Sequence, residues 1–77
     1  MNARDAFLQV LADSGLSIRE ITRRLNRAPG YFTHITKKGG GTPGANMLGK
    51  VANVCGYDLI LRRRIDDYEI PIDEFDD

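Results

Sequence analysis

The chain holds one cysteine, one histidine, three prolines and no tryptophan in 77 residues. With Cys55 alone an internal disulfide is excluded, and such cysteine usage fits a reducing compartment, the cytoplasm. His34 is the single histidine and Cys55 falls on an apolar helix face, so no metal site is expected. No apolar run approaches the roughly 20 residues a membrane helix needs, and Met1–Val10 shows no signal-peptide pattern. The acidic stretch DDYEIPIDEFDD (66–77) lacks the Asp spacing and glycine of a calcium loop. Gly39-Gly40-Gly41 lacks the Gly-Lys-Ser/Thr ending of a phosphate loop. One His, one Cys and scattered Ser/Thr give no nucleophile–base–orienter set, so neither an enzyme nor a cofactor is expected.

What is present is a charge split hidden under a formal net charge of zero. Residues 1–64 carry all 11 Lys and Arg against Asp5, Asp13, Glu20 and Asp58, a balance of +7. Residues 65–77 carry Asp66, Asp67, Glu69, Asp73, Glu74, Asp76 and Asp77 and no base, a balance of −7. Segregation of this kind usually separates partners, and the basic part suits a polyanion.

The apolar periodicity of residues 1–57 is helical. Ala3, Phe7, Val10 and Leu11 form one stripe over 3–12, stopped at Gly15. Ser17 and Glu20 predict a reciprocal capping box, with Ile18, Ile21 and Leu25 inward and Arg19, Arg23 and Arg24 wet. Asn26 suits a left-handed turn. Pro29 predicts the first position of a third helix over 28–38, Phe32 and Ile35 inward, although Ala28 cannot cap it. After the three glycines, Thr42-Pro43 predicts the start of a fourth helix, with Met47, Leu48, Val51, Ala52 and Cys55 inward and its end at Gly56. From Tyr57 the period becomes two, predicting strands over 58–63 and 68–72 joined around Asp66-Asp67, with Pro71 confined to an edge. Arg62, Arg63 and Arg64 then either pair with Asp66, Asp67 or Glu69 across the hairpin or contact a polyanion.

GLSIREITRRLN (15–26) resembles the GLS-x-x-E-[LI]-A-x-x-L-G segment of the Xre family, the lambda-repressor/Cro-like DNA-binding domains, with Thr22 for the usual Ala and Asn26 for the usual Gly. YFTHITKKG (31–39) is similar to that family's recognition helix, and residues 43–59 to its closing segment. The resemblance spans about residues 5–59. It implies an all-α, four-helix lambda-repressor-like helix-turn-helix domain over 1–57, to which the period-two alternation and the charge split add a two-stranded β extension and acidic tail at 58–77. It also implies a dimeric, sequence-specific reader of double-stranded DNA, usually a repressor.

A helix in the major groove reads base edges with outward side chains near its start, while flanking cations hold phosphates. The expected base contacts are Gly30, Tyr31, Thr33 and His34. The expected phosphate contacts are Ser17, Arg23, Arg24, Arg27, Lys37 and Lys38. An isolated hairpin is marginal in water, so Tyr57, Leu59, Leu61, Tyr68, Ile70 and Ile72 are the expected homodimer surface. The acidic tail either competes with DNA for Arg23, Arg24, Arg27 and Lys37 or keeps the chain soluble. The alternative function is that of an antitoxin-type interaction protein whose acidic tail binds a protein partner.

Overall fold

Three features of the first fifteen residues set the first helix. Asn2 caps it, its side-chain oxygen accepting from the Asp5 amide at 2.8 Å, and Asp5 complements the positive end of the helix dipole. The helix, α1 (Ala3–Ser14), stops where Gly15 takes the left-handed backbone at φ 73°. In a computed structural model that describes residues 1–75, α1 is followed by α2 (Ile18–Arg24), α3 (Thr33–Thr36), α4 (Ala45–Val54), β1 (Leu59–Arg62) and β2 (Glu69–Ile72). Asp76 and Asp77 lie outside the described residues.

Two of these helices end in the same way. At α2, Asn26 is left-handed at φ 56°, the Arg27 amide donates to the Thr22 carbonyl and the Asn26 amide to that of Arg23. At α4, Gly56 is left-handed at φ 88°, the Tyr57 amide donates to Ala52 and the Gly56 amide to Asn53. Both are Schellman closures, which satisfy carbonyls that a helix end otherwise leaves bare.

Four expectations about caps, elements and fold class need correction. The reciprocal half of the capping box is absent: Ser17 accepts from the Glu20 amide at 3.1 Å, but the Glu20 carboxylate is taken by Arg23 and Arg24. The third helix is not 28–38 but the single turn α3. Gly30 at φ 83° breaks the helical path. The chain there runs through turns closed by Tyr31 N–H to Ala28 O (3.1 Å) and Thr33 N–H to Gly30 O (3.0 Å). Thr42-Pro43 does not open α4, because Pro43 is buried and Gly44, with no side-chain cap, takes the N-cap place.

The last correction concerns fold class. The all-α, four-helix lambda-repressor-like domain is not what the chain forms. One of its four helices is a single turn, and an antiparallel two-stranded sheet packs through β1 on α4. The result is a small mixed domain. The sheet pairs Leu59 with Ile72, Ile60 with Pro71, Leu61 with Ile70 and Arg62 with Glu69. Asp67 turns the corner at φ 59°, and Arg63 closes it with a two-armed contact to Asp66.

Phe7, Ile21, Phe32, Ile35 and Val51 form the core, each at most 1% exposed. They come from α1, α2, the turn before α3, α3 itself and α4. Each such side chain contributes about 1.5–3 kcal/mol through removal from water. Phe7 and Phe32 meet at a ring-centroid distance of 5.8 Å and a 50° tilt. Ile18, expected to be inward, is 36% exposed at the rim. Thr22 is buried, and its hydroxyl donates to the Ile18 carbonyl at 2.6 Å, which removes the penalty of an unsatisfied polar group.

Gly40 is a packing requirement rather than a hinge. A Cβ there would lie 2.5, 2.7 and 2.9 Å from the carbonyl oxygens of His34, Ile35 and Lys37. At Gly41 the nearest such atom would be 3.7 Å away, ordinary contact. Gly40→Ala should therefore cost about 1–3 kcal/mol in urea unfolding. Gly41→Ala should be neutral or slightly stabilising through a stiffer unfolded chain. Equal midpoints for the two variants would refute this account.

Candidate nucleic-acid interface

The Schellman turn at Asn26 and the left-handed Gly30 fold residues 27–32 back across α2. A groove of about 590 Å³ opens between them, lined by Ile18, Arg19, Thr22, Arg23, Arg27, Pro29, Gly30, Phe32, Thr33 and Thr36. Its floor is largely apolar and its rim carries three guanidinium groups. Arg19 and Arg23 stand one turn apart on α2, so they share a face. Thr33 and Thr36 share a face of α3 for the same reason, opposite the buried Ile35.

The expected base-contacting residues do not all share that face. Gly30 and Thr33 line the groove, whereas Tyr31 lies on the far side of the segment. There the Tyr31 ring stands edge-on to Phe32 (4.9 Å, 82°), with the Arg27 guanidinium 5.3 Å from its centroid. Such aromatic and cation–π pairs hold a half-exposed tyrosine in place. His34 is exposed, and its carbonyl accepts from the Gly41 amide at 2.6 Å.

The expected phosphate contacts are likewise divided. Arg23 and Arg27 line the groove. Arg24 is on α2 but outside it, and Lys37 and Lys38 are exposed in the turn after α3. Ser17 serves as the α2 cap. Arg4, which the sequence reading did not single out, reaches from α1 to this turn: its Nε donates to Ile35 O at 3.2 Å and its Nη2 to Lys37 O at 2.9 Å. Arg19 was also missed as a site residue, although its i, i+4 spacing from Arg23 was a usable signal. The expected dimer residues Tyr57, Leu61, Tyr68 and Ile70 are exposed on the hairpin, and Leu59 and Ile72 are half-buried.

Glu20 governs the electrostatics of α2. Its carboxylate accepts from Arg23 through both Nε (3.1 Å) and Nη2 and from Arg24 Nε (3.1 Å). The hydrogen bonds from Arg23 and then Arg24 lower its pKa to about 2, and the same contact raises that of Arg23. One anion thus orients two cations. In the hairpin, Arg63 holds Asp66 below the ordinary carboxylate range, and Arg62 approaches Asp67 at 3.8 Å. Among the described residues no cluster of three or more His, Cys, Asp or Glu is arranged to hold a metal ion. No helix among them is long and apolar enough to cross a membrane.

Comparison of the chain with family models, with curated proteins and with solved structures finds no match.

The Glu20 contacts carry a pH signature. Because the folded pKa (about 2) lies below the usual 4.5, the stabilisation is complete above pH 4.5 and is lost as pH falls through 2. The carboxyl carbon resonance of Glu20 should titrate near pH 2. The stability difference between the wild type and Glu20→Gln should vanish over the same window. A midpoint near 4.5 would show that the Arg23 and Arg24 contacts do not persist in solution.

Proposed function

We propose that this chain is a sequence-specific double-stranded DNA-binding transcriptional regulator, a repressor, acting as a cytoplasmic homodimer. The observation that carries the reading is the groove between α2 and residues 29–36, in which Gly30 and Thr33 lie between Arg19, Arg23 and Arg27. Small side chains let a base edge or a thymine methyl approach an apolar floor, and guanidinium groups at the rim match phosphates. The resemblance of residues 15–26 and 31–39 to Xre-family segments points the same way.

In this reading Thr33 and Gly30 meet the bases centrally, with Tyr31 and His34 on the flanks. Arg23, Arg24, Arg27, Lys37 and Lys38 position the duplex. Selection from random duplex DNA should yield an enriched motif. Log affinity should fall linearly with log salt, by about 0.9 per phosphate neutralised. Thr33→Ala should alter base preference by about 1–3 kcal/mol at the contacted position. Arg23→Ala should weaken all sequences alike and flatten the slope by about one phosphate. Binding indifferent to salt would end the proposal.

The dimer follows from geometry of the target, since one short reader spans few base pairs and two-fold pairing places two readers about a helical turn apart. Leu61 and Ile70 are direct cross-strand partners and are 61% and 52% exposed, an apolar pair on the outer part of the hairpin. Leu61→Glu combined with Ile70→Glu should give monomers by sedimentation equilibrium with the helical circular dichroism retained. A dimer that persists in this variant would move the interface elsewhere.

A further inference from the structure

Gly49 stands in the middle of the ten-residue α4, where glycine is the poorest helix former apart from proline. Its place has a tertiary reason. Gly49 is buried, and a Cβ built on it would overlap the ring of Phe75 at Cε1, Cζ and Cδ1. The missing side chain is the seat of an aromatic ring from the acidic end of the chain. Asn53, one turn on, donates to the Gly49 carbonyl at 2.9 Å.

The seat adjoins a basic pocket. Lys50 follows Gly49 directly and Asn46 precedes it by three residues. Both line a pocket of about 220 Å³ with Arg27, Tyr31, Leu25, Phe32 and Met47. Phe75 is the one apolar residue in a stretch that otherwise reads Asp73, Glu74, Asp76, Asp77. Ring seat and cationic pocket together match an aromatic residue flanked by carboxylates.

We propose that the Arg27–Lys50 pocket is a docking surface for the chain's own acidic stretch Asp73–Phe75, latched by Phe75 on Gly49, and that this stretch competes there with polyanions. The inference rests on the reading of the basic side as a nucleic-acid surface and adds its regulation. In the docked state the carboxylates of this stretch screen the Arg27 flank of the groove, since Arg27 lines both pocket and groove. A duplex must displace them to engage that flank. Competition thus falls on Arg27, away from the Arg23–Arg24 pair that Glu20 already occupies.

Two charge-conserving variants test this. Phe75→Ala removes the ring, and Gly49→Ala fills its seat while favouring the helix. Neither alters net charge, so a change in polyanion affinity reports release of the tail. On a heparin column both should elute at higher salt than the wild type. A tethered segment acts at an effective concentration on the order of millimolar against a weak contact of similar range. Its release should therefore raise duplex affinity about two- to fivefold at low salt. The gain should shrink as salt screens the carboxylates. Elution of Gly49→Ala at the wild-type position overturns the proposal, and a matching shift in both variants supports it. A heparin shift with no duplex binding by any of the three proteins supports the latch and counts against the DNA reading alone.

Discussion

The candidate surface depends on the burial of one ring, Phe32 against Phe7. Residues 27–36 contain a single helical turn, and a turn of four residues has no stability of its own, because nucleation costs more than one hydrogen bond returns. What holds the segment is its side chains: Phe32 and Ile35 are fully buried in the same cluster as Ile21 and Val51. Tyr31 braces Phe32 from outside, and Arg4 ties the carbonyls of Ile35 and Lys37 to α1. Gly30, Thr33 and His34 are therefore positioned by a core beneath them rather than by a helix of their own. Loosening Phe32 would displace the groove as a unit.

Electrostatics redistribute what composition suggests. The balance of +7 over residues 1–64 is not spread evenly over one face. Arg62 and Arg63 face Asp67 and Asp66 inside the hairpin, which turns that cationic run into a local clamp. Glu20 engages Arg23 and Arg24 at once. These exposed pairs contribute little to stability, but they orient long side chains that would otherwise sample many rotamers. The positive character that faces outward is thereby concentrated along α2 and the turn after α3.

Much of this is legible in the sequence. The stripe Ala3, Phe7, Val10, Leu11 and the pairs Ile21/Leu25 and Phe32/Ile35 locate the core, because burial at helical spacing leaves a periodic mark. Asn26 is readable as a left-handed turn, Gly56 as a helix end, and the alternation after Tyr57 as a hairpin. The extent of α3 was not readable. Pro29 is a favourable helix start, but Gly30 at φ 83° takes the chain into a turn, and uncapped Ala28 offers nothing to oppose it. Glu20 illustrates a second limit. Its spacing from Ser17 fits a capping box, yet two guanidinium groups three and four residues on are stronger partners for a carboxylate than one amide. The separation of Tyr31 from Thr33 follows from the shortened helix, since side chains assigned to one helical face fall apart once the backbone there is a turn.

Gly49 is the case where local reading had no purchase at all. Within residues 45–54 it appears as a weak point in an otherwise apolar helix, and the ring that explains it lies beyond the hairpin. Topology supplies the link. Antiparallel pairing puts Ile72 beside Leu59, and Leu59 follows α4 after a short turn. A chain that leaves β2 at Ile72 therefore emerges next to α4 and runs back along it. The first aromatic side chain it then carries, Phe75, needs cover, and a glycine on the near side of the helix provides it. The hairpin thus does more than close the domain: its register brings Phe75 back to the helix that borders the basic pocket, and the glycine fixes where along that helix the ring is seated.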